Sequence, residues 1–274
     1  MSGTTFYKMT GSGNDFIMLD GRGTTAADWS PARIAEICDR RNGAGADGLV
    51  ILTPDGGATV RMAFWNCDGS PAAMCGNAAL CSTRFAAHLG LAPAAGMRLA
   101  TGAGTFPTRC VGEAHQAELN LPDFDLPAPV PGLALTGGER WQVLARVGVP
   151  HLVTRVDDVE WVDLYSRGSA LRHHPAVGPA GANANFVSEP TQPGGPWLIR
   201  TFERGVEGET LACGTGTVAA AVALATHGEA ELPLQFQTRS GRVLRVRAVL
   251  TPSHATQVWL QGEGRLVYQG SLSD

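Results

Sequence analysis

Two stretches of the sequence decide the fold: residues 74–90, MCGNAALCSTRFAAHLG, and residues 212–228, ACGTGTVAAAVALATHG. Each opens on Cys-Gly, continues as an Ala-rich run and stops at a glycine, which predicts helices over 76–89 and 214–227. Both runs are apolar nearly all round, as expected for a helix enclosed by a sheet. Cys75 and Cys213 therefore begin two buried helices about half a chain apart.

The segments before the two helices also match. Each has a predicted strand, over 61–65 or 198–202, followed by a polar turn. This internal repeat predicts an α/β (α+β) fold of two pseudo-symmetric halves, each a strand-rich sheet wrapped around a central helix. We assign the halves to 1–121 and 122–264, and interpret the Pro/Gly-rich segment 126–138 as the connection between them.

Composition and charge argue against several functional classes. The chain has 274 residues, 44% hydrophobic and 17% charged, with a formal net charge of −4. The arginines are scattered, which argues against nucleic-acid binding. No signal peptide and no apolar run of about 18 residues occurs, so we expect a cytoplasmic protein that does not use a membrane. Six cysteines without a C-x-x-C pair are expected to be thiols and not metal ligands.

Two cysteines at two helix starts suggest acid–base chemistry. The helix dipole favours the thiolate, and the N–H groups of each first turn can bind a carboxylate. If the two ends face each other, one thiolate can take an α-proton while the other thiol protonates the opposite face. We therefore predict Cys75 and Cys213 as the proton-transfer pair. Cys38, Cys67, Cys81 and Cys110 lack this context and are interpreted as structural.

The lysine content supports a reaction without pyridoxal phosphate. Most amino-acid racemases hold that cofactor on a Schiff-base lysine. The only lysine here is Lys8, which we interpret as a surface charge near the chain start. We expect no cofactor and no metal, and a small amino acid as the partner. The sequence leaves a homodimer open.

Several short blocks resemble the diaminopimelate epimerase family in order and over nearly the whole chain. They are MTGSGNDF (9–16), NCDGS (66–70), MCGNA (74–78), PH (150–151), NANF (183–186), ERGVEGET (203–210) and ACGTG (212–216). The resemblance implies mostly antiparallel sheets, with a last strand over 265–274 that returns to the first half. It also implies interconversion of L,L- and meso-diaminopimelate, with Cys213 as acceptor and Cys75 as donor in that direction.

The resemblance also implies roles for other residues. His151 and Glu203 match positions that tune the thiols. The remaining matches are substrate contacts: Asn14, Asn66, Gly76, Asn77, Asn183, Glu203, Arg204, Gly214 and Thr215. Taken alone, Asn14, Asn66 and Asn183 are also typical of turns and caps, His151 of a core histidine, and Glu203-Arg204 of a solvated pair.

Three positions depart from the family pattern. Val149 replaces the Asn that usually precedes Pro-His, so it offers no amide to a distal carboxylate. Leu80 replaces a usual Arg, and Gly48 stands where some members carry Gln. A racemase of the same fold for another amino acid therefore stays as the alternative. A non-catalytic amino-acid-binding paralogue and a redox protein with a Cys75–Cys213 disulfide are weaker hypotheses.

Overall fold

The computed structural model describes residues 3–112 and 115–273. The chain divides into two compact units. The first comprises Met1–Asn120 and Gln261–Asp274, and the second comprises Leu121–Leu260. The Pro/Gly-rich segment 126–138 lies wholly within the second unit. There Leu126 N donates to Ser253 O at 3.0 Å, so the prediction that this segment connects the halves was wrong.

Within the described residues, the first unit is built from seven complete strands, nearly all of an eighth, a C-terminal strand and two α-helices. Their bounds are β1 (Thr4–Gly11), β2 (Asn14–Asp20), α1 (Pro31–Cys38), β3 (Gly48–Pro54), β4 (Thr59–Asn66), β5 (Pro71–Ala72), α2 (Gly76–His88), β6 (Met97–Thr101), β7 (Gly104–Cys110), β8 (Gln116–Leu121, whose last residue belongs to the second unit) and β19 (Arg265–Leu272). The last strand, β19, pairs antiparallel with β1.

The second unit holds the remaining strands and α-helices of the described residues. They are β9 (Phe124–Asp125), β10 (Ala128–Pro129), β11 (Glu139–Val147), β12 (Val149–Val156), α3 (Ser169–Arg172), β13 (Asn183–Ser188), β14 (Trp197–Glu203), β15 (Gly208–Thr210), α4 (Gly214–Thr226), β16 (Leu234–Gln237), β17 (Val243–Leu250) and β18 (His254–Glu263), which runs on into the first unit. A π-helical turn, Leu164–Gly168, precedes α3.

Strand pairing repeats from one unit to the other. In the first, β1–β2 is antiparallel, β2–β3 parallel, β3–β4 antiparallel, β4–β6 parallel and β6–β7 antiparallel. In the second, β11–β12, β12–β13, β13–β14, β14–β16 and β16–β17 follow the same order of directions. The predicted fold class of two pseudo-symmetric, strand-rich α+β halves is therefore confirmed.

The two Cys-Gly helices are core elements. In α2 nine of thirteen residues are buried, and in α4 ten of thirteen. The Ala-rich composition lets neighbouring strands approach such a helix closely on every side. Leu80 in α2 is fully buried, so this departure from the family pattern is a packing residue. Across the described residues, no helix has the length and apolar character needed to cross a membrane.

Candidate active site

Cys75 is the N-cap residue of α2. Its backbone is extended (φ −139°, ψ 129°), and its carbonyl accepts from Ala79 N at 2.9 Å. The thiol is half-buried. Because Gly76 carries no Cβ, the first-turn N–H groups of the helix are approachable by an anion. This arrangement can bind a carboxylate next to a thiol.

Asn14 and Asn77 form one hydrogen-bonded unit beside this helix start. Asn77 Nδ2 donates to Asn14 Oδ1 at 2.7 Å, and Asn14 Nδ2 donates to Asp47 Oδ2 at 2.9 Å. Arg40 Nη2 in turn holds Asp47 Oδ1 at 2.7 Å. The amide of Asn14 is thus fixed at both ends. Sequence reasoning missed Asp47, because the parallel pairing of β2 with β3 brings it to Asn14.

Asn66 lies in a tight turn. Its Nδ2 donates to Ser70 Oγ at 3.0 Å, and its N–H donates to Ser70 O at 2.9 Å. Gly69 closes the turn at φ +82°, where a Cβ would lie 2.1 Å from Pro31 O. The turn role that the sequence left open for Asn66 is therefore real. It also fixes the direction in which the Asn66 amide points.

Lys8 is not the surface charge that the sequence predicts. Only 7% of the residue is exposed. Its Nζ lies 2.7 Å from Asp15 Oδ2 and also donates to Gly45 O. A buried cation needs such partners, since an unpaired charge in the interior is costly. Lys8 and Arg40 together hold the pKa of Asp15 below its usual value, although burial alone would raise it.

Gly48 begins β3 in a confined space. A Cβ at this position would lie 2.5 Å from Trp65 O and 2.7 Å from a ring carbon of Phe64. Contacts this close are not tolerated by real Cβ atoms, so a longer side chain requires the strands to shift. The glycine at this position is thus explained by packing against β4.

Cys213 is the N-cap residue of α4 and repeats the geometry of Cys75. Its backbone is extended (φ −120°, ψ 107°), and its carbonyl accepts from Thr217 N at 2.9 Å. Its Sγ lies 3.9 Å from Thr215 Oγ1, and the residue is 8% exposed. Gly214 is buried and adds no Cβ at the helix start. Both predicted cysteines therefore occupy the same local position in their own unit.

Asn185 links the α4 start to the neighbouring strands. A Cβ on Gly216 would lie 2.2 Å from Asn185 Oδ1 and 3.2 Å from Cys213 Sγ. Thr201 Oγ1 donates to the same Asn185 oxygen at 2.9 Å. Sequence reasoning did not single out Asn185. A signal was present, because Asn183 and Asn185 are two positions apart on one strand and so face the same side.

His151 is fully buried between these asparagines. Its Nδ1 lies 3.4 Å from Asn183 Nδ2 and 3.4 Å from Asn185 Nδ2. Asn185 Nδ2 also donates to Leu152 O, and Asn183 Oδ1 accepts from Arg204 N at 2.7 Å, which fixes both amide orientations. Nδ1 is therefore the acceptor, and the proton of the neutral ring lies on Nε2.

The environment of His151 keeps the ring neutral. Burial, with a contribution from the positive charge of Arg204, lowers its pKa from 6.5 to about 3. Within the described part of the chain, Nε2 has no hydrogen-bond partner. A neutral His151 can donate a hydrogen bond from Nε2, but it brings no positive charge to a thiolate at neutral pH. Any tuning of a thiol by this ring must therefore act through hydrogen bonding.

Glu203 and Arg204 lie at the end of β14 and differ in environment. Burial raises the pKa of the Glu203 carboxyl, and a hydrogen bond from Thr210 Oγ1 at 2.7 Å partly opposes this. Arg204 is half-buried, and its backbone is tied to Asn183. The pair is thus not the solvated ion pair that the sequence left open. Both residues are half-buried at the end of the strand.

A cavity of about 300 Å³ lies beside Arg204 in the second unit. Its lining includes Arg146, Val149, Pro150 and Arg204, together with residues 177–181. Val149, which departs from the family pattern, thus lines the same cavity as Arg204, a residue that the resemblance implies to be a substrate contact. Arg146 was not predicted from the sequence.

The other cysteines are in different environments. Cys38 and Cys81 are buried, and burial raises the pKa of Cys38 to about 12 and that of Cys81 well above its usual value. Such thiols stay protonated and unreactive at neutral pH. Cys110 is half-buried and Cys67 is exposed in the turn that follows β4.

Solved structures share this fold. A PhzF-family phenazine biosynthesis protein from Bacillus anthracis has a TM-score of 0.77 at 14% identity, with all of both chains covered. A hydroxyproline epimerase from Agrobacterium vitis, with trans-4-hydroxy-L-proline bound, has a TM-score of 0.67 at 18% identity. That match covers 99% of this chain and 93% of the other. The chain thus has a two-unit α+β fold that is also found in epimerases.

Sequence relatives give the family. The profile of the diaminopimelate epimerase family matches residues 6–121 and 143–251. Diaminopimelate epimerase of Gemmatimonas aurantiaca is 46% identical, covering 98% of this chain and 99% of its own. That of Chlorobaculum tepidum is 36% identical, covering 97% and 100%. The chain belongs to the diaminopimelate epimerase family, which confirms the resemblance found in the sequence.

Proposed function

We propose that the chain interconverts L,L- and meso-diaminopimelate, the epimerisation that serves lysine and cell-wall precursor synthesis. The observation that carries the proposal is the matched placement of Cys75 and Cys213, each as N-cap of a buried helix in one of two topologically equivalent units. One thiol at a helix start has many roles. Two in equivalent positions, within a family of epimerases, favour two-base chemistry.

The proton balance of the reaction is simple. In the L,L-to-meso direction the Cys213 thiolate removes the α-proton and becomes a thiol, while the Cys75 thiol protonates the opposite face and becomes a thiolate. No other bond forms or breaks, and the reverse direction exchanges the two roles. The first-turn N–H groups at Gly76-Asn77 and Gly214-Thr215 bind the α-carboxylate, into which the carbanion spreads its charge.

Side chains of the second unit can bind the part of the substrate that lies beyond the α-carboxylate. Arg204 lines the cavity, and its backbone N–H donates to Asn183. A guanidinium suits a distal carboxylate, since it binds carboxylates through two parallel hydrogen bonds. Asn14 and Asn66 extend recognition from the first unit. Glu203 and His151 adjust the site around Cys213, with His151 donating from Nε2.

Hydrogen exchange in D2O tests the proposal. Reduced protein incubated with L,L-diaminopimelate should place deuterium at the α-carbon and yield the meso isomer. Cys75→Ala and Cys213→Ala should each abolish epimerisation, and Cys67→Ala, at an exposed thiol outside the pair, is the matched control. Full epimerisation by Cys75→Ala would remove the two-base assignment.

A second candidate is a racemase for a different amino acid, favoured by Val149 at the cavity. A panel of single enantiomers in the same experiment separates the two candidates. Exchange with another amino acid and not with diaminopimelate would select the second candidate.

We also propose a partner and a cellular location for the reaction. The partner is a small amino acid, the location is the cytoplasm, and neither nucleic acid nor membrane takes part. A homodimer stays a hypothesis, which sedimentation of the purified protein would test.

A further inference from the structure

Glu207 holds a backbone conformation that glutamate rarely adopts. It lies between the segment 203–206 and Gly208, with φ at +55°. This left-handed region favours glycine, because a Cβ there crowds the next carbonyl oxygen. A residue with a side chain persists in such a region only where its surroundings hold it there. The contacts that Glu207 makes therefore have to stabilise this turn.

The Glu207 carboxylate closes the turn, which also carries Arg204. Its Oε1 accepts from Gly205 N at 3.0 Å, and Glu207 N donates to Glu203 O at 2.8 Å. The backbone N–H of Arg204 itself donates to Asn183 Oδ1 at 2.7 Å. Three hydrogen bonds thus fix the backbone from which the Arg204 guanidinium extends.

Arg172 joins this turn to another segment that lines the cavity. Its Nη2 and Nε lie 2.9 and 3.1 Å from Glu207 Oε1, and its Nη1 donates to Ala180 O at 3.3 Å. A Cβ on Gly181 would lie 2.1 Å from the same Nη1, so the backbone there rests against the guanidinium. One side chain, only 14% exposed, therefore contacts both the turn and the residues that line the cavity with Arg204.

Both partners of this contact are charged at neutral pH. The Gly205 N–H and the Arg172 guanidinium hold the pKa of the Glu207 carboxyl below its usual value, although desolvation opposes them. Arginine stays protonated throughout this range. A hydrogen bond between two charged groups is stronger than a neutral one. The Arg172–Glu207 contact is therefore a salt bridge that restrains the turn and the neighbouring cavity lining together.

We infer that Arg172 and Glu207 are positioning residues, which hold Arg204 where it binds the distal carboxylate of the substrate. They act by tying two segments of the cavity lining to each other, and they touch no reacting atom. This inference rests on the proposed function, because it needs a substrate with a second carboxylate. It also gives a role to the strained conformation of Glu207.

Glu203, at the start of the same turn, is fixed by other contacts. It pairs with Gly208 across β14 and β15, and its Oε2 accepts from Thr210 Oγ1 at 2.7 Å. Neither contact involves the side chain of Arg172 or Glu207. Loss of the salt bridge should therefore displace Arg204 and leave Glu203 in place.

Glu207→Gly tests the inference, because it removes the carboxylate while it relieves the strain at φ +55°. KM for L,L-diaminopimelate should rise about fivefold or more, with kcat changed less than about twofold, since a distal contact is equally strong in the ground state and the transition state. Arg172→Ala should give the same split. Arg140→Ala, which removes a guanidinium from the exposed pair with Asp157, is the matched control and should keep the wild-type KM.

The double variant Arg172→Ala/Glu207→Gly separates a shared action from two structural defects. If the two side chains act through one salt bridge, its KM should match that of either single variant, whereas independent effects multiply. A wild-type KM in Glu207→Gly, a multiplied KM in the double variant, or an equal fall in kcat and kcat/KM overturns the inference and leaves the proposed function standing. Wild-type protein that neither binds diaminopimelate by calorimetry nor epimerises it overturns the proposed function, and the inference with it.

Discussion

The buried ring of His151 should make the free energy of unfolding depend on pH, and replacing it should remove that dependence. The folded protein holds this ring neutral down to a pKa of about 3, whereas in the unfolded chain it titrates near 6.5. Between these values the unfolded state binds a proton that the folded state does not. The stability gained from keeping the ring neutral is therefore full above about pH 6.5 and is lost as the pH falls toward 3.

The size of the effect follows from the two pKa values. Each pH unit below 6.5 costs about 1.4 kcal/mol, because one pKa unit corresponds to that free energy. Lowering the pH from 7 to 5 should thus remove about 2 kcal/mol from the free energy of unfolding through this one group. Other groups titrate in the same range, so the effect must be isolated by a difference.

Urea unfolding of wild type and His151→Gln at pH 5, 7 and 8 provides that difference. Glutamine is neutral at every pH, so the stability advantage of wild type over the variant should shrink by about 2 kcal/mol between pH 7 and pH 5. It should stay constant between pH 7 and 8, which is the internal control. A constant difference from pH 5 to 8 would show that the ring is not held neutral, and would refute the argument from burial.

Three further substitutions are predicted to have defined effects. Gly216→Ala places a Cβ 2.2 Å from Asn185 Oδ1 and should lower kcat about tenfold or more by displacing the start of α4, measured as initial rates of epimerisation; an unchanged rate would show that the site tolerates the shift. Asp47→Ala removes the acceptor that fixes Asn14 and should lower kcat/KM about tenfold; a wild-type value would remove Asn14 from the site. Gly69→Ala combines φ +82° with a clash against the chain and should lower the free energy of unfolding by roughly 2 kcal/mol or more in urea; a loss below about 0.5 kcal/mol would mean that the turn relaxes easily.

The sequence by itself determined the features that depend on neighbours along the chain. The starts of α2 and α4 follow from Cys-Gly before an Ala-rich run, and their ends from Gly90 and Gly228. Ser30 caps α1, and its side-chain oxygen accepts from Arg33 N. Helix ends are local events, since a cap satisfies groups within one turn, so residues a few positions apart suffice to predict them.

The internal repeat extended these local predictions to the organisation of the whole chain. Two helix starts with the same pattern predicted two equivalent units before any pairing was known, and the strand directions confirm it. The family blocks gave the residues of the candidate site. None of these signals specified which side chains would meet.

Only the tertiary structure decided the contacts between distant residues. Pairing of β12 with β13 sets His151 beside Asn183 and Asn185, and pairing of β11 with β12 sets Arg146 at the cavity. Lys8 is buried because strand packing brings Asp15 and Gly45 to its amine. Strand pairing links residues that the sequence separates, and burial sets the electrostatics that follow, which no local pattern encodes.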